Sequence, residues 1–133
     1  MVAPGVTVRS SGIPRALPRV VAVVAGLGFV LLGLWGFIAP RSFFDAVATF
    51  EPYNQHFTQD VGTFQVGFGV TLLVAVLSAR TDGLAVALLG TGVGSALHAV
   101  SHMIGHDLGG RPESDIPVFT ALALVLLAAG VVR

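Results

Sequence analysis

The sequence predicts an all-α integral membrane protein whose four transmembrane helices cross the bilayer in up-down-up-down order. The 133-residue chain is 54% hydrophobic and only 11% charged, with a mean hydropathy of +0.87. It contains four apolar stretches, each as long as the ~17–25 residues that a helix needs to cross hydrocarbon. These stretches cover about residues 20–39, 61–79, 84–104 and 116–132. They leave no room for a separate soluble domain, so we expect residues 19–133 to form one transmembrane domain.

The distribution of arginine predicts the orientation of this domain. The basic residues are all arginines, and most lie on one side of the four stretches: Arg9, Arg15, Arg19, Arg80 and Arg133. Arg41 and Arg111 lie on the other side, together with six of the seven acidic residues. Cytoplasmic loops are enriched in Lys and Arg, so both termini are predicted to be cytoplasmic. The expected location is the cell inner (plasma) membrane, as a multi-pass protein.

The chain before the first stretch is rich in proline and glycine. Residues 1–18 have no pattern that would bury an apolar face, which predicts a disordered cytoplasmic tail. The arginines followed by an apolar run also resemble a secretory signal peptide, with Ala46-Val47-Ala48 as a cleavage site. However, the run of about 20 residues exceeds the ~7–15 typical of signal peptides. We therefore interpret it as a retained span.

Apolar residues in the first long loop recur at helical spacing, which predicts a short amphipathic helix in the outer interface. They are Phe43, Phe44, Val47 and Phe50. Pro52 is suited to the first turn of a helix, so the second helix is expected to begin near Tyr53. Ser114 or Asp115 is expected to cap the last helix, with Pro117 in its first turn.

Two features predict how the helices pack. The short turn from Arg80 to Gly83 should make the second and third spans antiparallel neighbours. Gly90 and Gly94 form a small-xxx-small face on the third span, and we expect this face to pack inside the bundle rather than in a dimer. Gln65, a polar residue inside the second span, is expected to form a hydrogen bond with a neighbouring helix.

Ionisable residues at membrane depth form the candidate site. His56 and Asp60 stand four residues apart on the second helix, and His98 and His102 stand four apart on the third. Counting outward from the short turn places Asp60 and His102 within ~2 Å of the same level. Because such residues are expensive to expose to lipid, we expect the four to face one another in a cluster that opens toward the outer surface. His106 is a weaker member, in a glycine-rich segment.

Three interpretations of this cluster remain open. Neutral imidazoles and a carboxylate suit a transition metal, so the four residues are candidate metal ligands, and a haem is a second cofactor of this kind. Alternatively, histidine and aspartate form a hydrogen-bonded pair that carries a proton. Finally, the side chains can serve only as interhelical hydrogen-bond partners that hold the bundle together.

A sequence pattern in the second and third spans resembles a known class of proteins. It consists of Asn54-Gln55-His56-Phe57, then Asp60-Val61-Gly62, then a later His-x-x-x-His. It is similar to that of small uncharacterised bacterial four-helix membrane proteins of the DoxX-like class, which have an acid where Gln55 stands and an arginine where Gln59 stands. The resemblance, which covers the last three spans, implies a four-helix membrane fold and an association with redox or quinone-linked membrane complexes.

The predicted function is that of a small integral membrane protein acting as a non-enzymatic subunit or binding module. A metal- or haem-binding membrane redox component is the alternative. No nucleophile motif, phosphate-binding loop or nucleotide fingerprint occurs in the sequence. The net charge of +0 argues against a nucleic-acid partner, because phosphate binding needs a basic field. The expected partners are the lipid bilayer and a larger membrane complex or further copies of the chain.

Overall fold

The computed structural model describes residues 16–78 and 81–132, and helices account for most of them. The helices are α1 (Leu17–Ile38), α2 (Pro40–Phe43), α3 (Gln55–Leu77), α4 (Thr81–Ile104) and α5 (Pro112–Val131); α2 continues into a π-helical turn, Phe44–Ala48. The described part of the chain contains no strand. The predicted disordered tail lies outside the described residues except at its last three, of which Leu17 and Pro18 belong to α1.

Four of the helices, α1, α3, α4 and α5, are long and apolar enough to cross a membrane. This confirms the predicted all-α class and the four candidate spans. Each of the four begins a few residues before the apolar stretch that predicted it. The Asn54 side chain accepts a hydrogen bond from the Phe57 backbone N–H at 3.0 Å, and α3 begins at Gln55, two residues after the predicted start near Tyr53.

The start of α5 differs from the prediction. The Asp115 carboxylate accepts a hydrogen bond from the Arg111 backbone N–H at 2.9 Å. The carboxylate thus reaches back over the first turn, Arg111 takes the N-cap position, and the helix begins at Pro112. The prediction that Ser114 or Asp115 would be the cap was wrong, and Pro117 lies inside the helix rather than in its first turn.

The connection between α1 and α3 contains a short helical segment where the spacing of apolar residues predicted one. α2 and its π-helical turn bury Phe43 and Phe44. The segment ends at Thr49, whose φ of 50° places it in the left-handed region. The chain there turns back toward α3.

Glycine residues set the pairing of α1 with α3, which form the first hairpin. A Cβ atom added at Gly69 would lie 2.5 Å from the Gly26 carbonyl oxygen, and one added at Gly33 would lie 2.6 Å from that of Gly62. The backbones are therefore in direct contact. Because later positions on α1 meet earlier positions on α3, the two helices run antiparallel.

The second hairpin, α4 with α5, packs in a similar way. Gly92 lies against Leu127, and Gly130 lies against Leu89, so these helices are also antiparallel. Gly90 and Gly94, which were expected to pack inside the bundle, are exposed and have no atom within 4 Å of an added Cβ. Gly92, two residues from each of them, lies on the face of α4 that packs against α5 instead.

The two hairpins share a core near the end that holds residues 16 and 132. Its fully buried side chains come from all four long helices and include Ala22, Leu72, Leu88 and Leu126. Elsewhere contact between α3 and α4 is sparse, and the main neighbour of α3 is α1. The short turn was expected to make α3 and α4 antiparallel neighbours; they meet mainly at the shared core, while α3 packs closely on α1. A short turn limits the separation only next to itself, whereas the glycines hold α3 against α1 along its length.

Candidate functional site

His98 and His102 occupy successive turns on one face of α4, near the end of the bundle that carries the two longer connections. The Nε2 atoms of the two rings lie 3.1 Å apart, which is hydrogen-bond distance. Since α4 ends at Ile104, His98 lies six residues, or ~9 Å, below the end of the helix. The sequence predicted this pair, and the structure brings its two rings together.

The carboxylate that faces this pair comes from α5. Oδ2 of Asp115 lies 3.7 Å from Nδ1 of His102, and only 10% of the His102 side chain and 20% of the Asp115 side chain are exposed. The distance exceeds a direct hydrogen bond and is suited to an electrostatic contact or a bridging water. Asp115 is fixed in place because it also accepts hydrogen bonds from the Arg111 backbone N–H and the Ser114 hydroxyl. We refer to His98, His102 and Asp115 as the His–Asp group.

Aromatic rings pack against both histidines of the group. Phe119, one turn beyond Asp115 on α5, stacks on His98 with a centroid distance of 4.1 Å and lies 5.0 Å from the centroid of His102. Phe50, from the connection before α3, packs edge-on against His102 at 5.6 Å. These rings exclude water from His102, which strengthens its interaction with the Asp115 carboxylate.

The geometry favours one arrangement of protons in the neutral group. The carboxylate accepts only, so it favours a proton on Nδ1 of His102. Nε2 of His102 is then an acceptor, and His98 supplies the Nε2–H for the 3.1 Å contact. With His98 donating to it, Nε2 of His102 can take a further proton only if His98 moves its own proton from Nε2 to Nδ1. The three residues can therefore hold a proton and pass it between a position near the surface and one a turn deeper on α4.

His56 and Asp60 form a separate pair. Nε2 of His56 lies 3.5 Å from Oδ2 of Asp60, and these side chains are 88% and 51% exposed. The described contacts of this pair are within the first turns of α3, and those of His98 and His102 are with α5 and Phe50. In residues 16–78 and 81–132, no three His, Asp or Glu side chains are placed to hold a metal ion. The four-ligand metal site thus stays a prediction that the geometry does not support.

Other polar residues at membrane depth behave differently from expectation. Gln65 was expected to form a hydrogen bond with a neighbouring helix, but its Oε1 atom is buried and has no hydrogen-bond partner among the described residues. His106 pairs loosely with Asp107 at 4.0 Å, and both are largely exposed.

Sequence reasoning missed Asp115, Phe119 and Phe50 as members of the site. A signal for Asp115 was present. His102 lies two residues before the end of α4, and Asp115 lies three residues after the start of α5, so the connection at 105–111 places them at similar depth. Nothing in the sequence indicated that Phe50 would reach across to His102.

Comparisons with known proteins give no assignment: no family model, curated protein or solved structure matches this chain.

Proposed function

We propose that this chain is a small multi-pass protein of the inner (plasma) membrane that acts as a non-enzymatic subunit or binding module. Its four long helices would cross the bilayer in up-down-up-down order with both termini in the cytoplasm. We further propose that the His–Asp group is its functional feature, and that the group binds a proton. The DoxX-like resemblance is consistent with a role inside a larger membrane complex.

The proposal rests on the two partners of His102, one on its own helix and one on α5. Its Nε2 atom meets His98 at 3.1 Å on its own helix, and its Nδ1 atom faces Asp115 on α5. A histidine that served only as an apolar filler would not need a carboxylate from another helix, and burying that carboxylate is unfavourable unless it has partners. Histidine is also the side chain whose ordinary titration falls near neutral pH. Together these properties are those of a proton-binding group.

Nitrogen-15 NMR of histidine-labelled protein in lipid nanodiscs tests the proposal. In the wild type we expect His102 to carry its neutral-state proton on Nδ1 and to gain a second proton as the pH is lowered. Asp115→Asn keeps an oxygen for the Arg111 N–H but removes the charge, so His102 should become a mixture of tautomers. Asp107→Asn, beside the exposed His106, is the matched control and should leave His102 unchanged. An unchanged His102 tautomer in Asp115→Asn would contradict the proposal.

The alternative function is a metal- or haem-dependent membrane redox component. One observation favours it. In metal-binding histidines, the ring nitrogen that does not bind the metal typically faces a carboxylate, and Nδ1 of His102 faces Asp115 in this way. Two histidines would then need further ligands from a partner. Stoichiometric metal or a Soret band in the purified protein, lost in His98→Ala, would support this alternative over the proton-binding function.

A further inference from the structure

A second polar site, independent of the His–Asp group and of the proposed function, lies where α1 gives way to α2. It is an open cleft of about 590 Å³, which we call the Arg41 cleft. The residues that line it include Ala39, Pro40, Arg41, Ser42, Asp45 and Tyr53. The cleft lies beside the last turn of the membrane-capable helix α1, whose Phe37 and Ile38 side chains are 47% and 74% exposed. An occupant would therefore meet apolar side chains on one side and charged groups on the other.

The charged groups of the cleft are ordered before any ligand arrives. Arg41 forms a two-point contact with Asp45, with Nε to Oδ2 at 3.0 Å and Nη2 to Oδ1 at 2.9 Å. The guanidinium also lies 4.9 Å from the centre of the Tyr53 ring and 5.7 Å from that of Phe44. The hydrogen bond to Asp45 raises the pKa of Arg41 above its ordinary value, so the guanidinium stays charged. Such a stacked and paired arginine loses little further side-chain freedom on binding.

Both charges remain available to a second partner. The side chains of Arg41 and Asp45 are 61% and 53% exposed. Arginine has five N–H donors, of which the contact with Asp45 uses two, and a carboxylate has lone pairs beyond those two contacts. A ligand with adjacent negative and positive groups can thus bind both residues without breaking their pair.

We propose that the Arg41 cleft binds the headgroup of a zwitterionic phospholipid with a primary ammonium group, placing the phosphate on Arg41 and the ammonium on Asp45. Phosphate accepts hydrogen bonds from guanidinium in the geometry that arginine favours. A primary ammonium donates three hydrogen bonds and suits Asp45, whereas a quaternary ammonium donates none. The exposed end of α1 lies where the acyl chains would run. Phosphatidylethanolamine has this combination of groups.

Trp35 provides the readout, because it is the one tryptophan of the chain and its indole N–H donates to the Ser42 hydroxyl of the cleft at 3.3 Å. The full-length protein in detergent micelles is titrated with dioctanoyl phosphatidylethanolamine, phosphatidylcholine or phosphatidylglycerol, and Trp35 emission is recorded. We expect a saturable change with phosphatidylethanolamine at about threefold to fivefold lower concentration than with the other two, as one exposed charge-assisted contact provides. Equal binding of the three lipids would overturn the proposal.

Substitutions test whether Arg41 binds the phosphate and Asp45 binds the ammonium group. Arg41→Gln should weaken the binding of all three lipids. Asp45→Asn should weaken the binding of phosphatidylethanolamine alone, to the level of phosphatidylcholine. Arg111→Gln and Glu113→Gln, which remove the same charges elsewhere at this end of the bundle, are matched controls and should change nothing. If Arg41→Gln loses helical structure, Asp45→Asn carries the test, and an unchanged preference for phosphatidylethanolamine in that variant overturns the assignment. Free phosphoethanolamine should not compete at similar concentrations; if it does, the ligand is a soluble phosphate ester and not a lipid.

Discussion

Position within the bundle separates the four histidines more clearly than their spacing in the sequence does. His102 is enclosed by Phe50, Phe119 and the Asp115 carboxylate, whereas the His56 side chain is 88% exposed. Both histidines have an aspartate within 4 Å. An exposed pair of this kind is screened by water and contributes little, while an enclosed pair interacts more strongly.

This difference predicts unequal effects of removing the rings. His102→Ala should lower the free energy of unfolding by about 1–3 kcal/mol, because it leaves the Asp115 carboxylate short of a partner and opens a gap between two aromatic rings. His56→Ala should change it by less than about 0.5 kcal/mol. Unfolding in mixed micelles, followed by circular dichroism, measures both. Equal effects of the two substitutions would contradict the enclosure of His102.

The aspartate that faces His102 shows what sequence alone could predict at this scale. Counting residues from the turns predicts the depth of each side chain in the bundle, and by this count both Asp60 and Asp115 lie at about the depth of His102. Depth does not determine which helix lies next to α4, so the choice between the two carboxylates depended on helix pairing. The hydrogen bond from the Arg111 backbone N–H, which fixes Asp115, depends in turn on where α5 begins.

At the level of helices, pairing follows the positions where backbones can touch. Lipid is as apolar as the helix surfaces, so close packing of small residues, rather than hydrophobic burial, selects the partner. Glycines are frequent in this chain, 17 in all, and many candidate faces exist. Periodicity could therefore predict the long helices, but it could not select Gly62, Gly69 and Gly92 over Gly67, Gly90 and Gly94 as the contact positions.

A comparison of two glycines on α3 tests the pairing of the first hairpin. A methyl group at Gly69 would lie 2.5 Å from the Gly26 carbonyl oxygen, whereas one at Gly67 would meet nothing within 4 Å. Gly69→Ala should lower the free energy of unfolding by about 1–3 kcal/mol, as overpacking does. Gly67→Ala should leave it unchanged or raise it by up to about 1 kcal/mol, since alanine favours helix. If Gly67→Ala is the more damaging substitution, α1 does not pack on this face of α3.

The connections between helices also join the two hairpins. Gly110 has a φ of +79°, and a Cβ atom there would lie 2.7 Å from Cζ of Phe50. Gly110→Ala should therefore displace the Phe50 ring and lower the free energy of unfolding by about 1–2 kcal/mol, the cost of the left-handed conformation for an alanine. A change in the His102 ring signals by NMR would report the loss of Phe50. Unchanged His102 signals would show that Phe50 does not hold this position.

For the whole molecule, two hairpins that are each tightly packed are joined mainly at their two ends. At one end the shared core includes Leu72, Leu88 and Leu126, and at the other Phe50 lies against His102 and Gly110. The His–Asp group lies within the second hairpin, while the Arg41 cleft lies at the end of the first. The two sites are therefore carried by different hairpins, and a substitution in one should leave ligand binding at the other unchanged.

The orientation of the molecule in the membrane is predicted from charge. Five of the seven arginines lie on the side of the termini and the short turn, which the positive-inside rule assigns to the cytoplasm. A reporter inserted after Gly110 should then be active only in its extracytoplasmic form, and the same reporter after residue 133 only in its cytoplasmic form. Replacing Arg15, Arg19 and Arg80 with glutamine should weaken this preference and produce a mixed population, whereas Arg41→Gln and Arg111→Gln should strengthen it. If both reporters were active on the same side of the membrane, α5 would not cross the bilayer between them, and the prediction of four crossings would be wrong. Cytoplasmic activity at Gly110 with extracytoplasmic activity at the C-terminus would instead keep the four crossings and reverse the orientation.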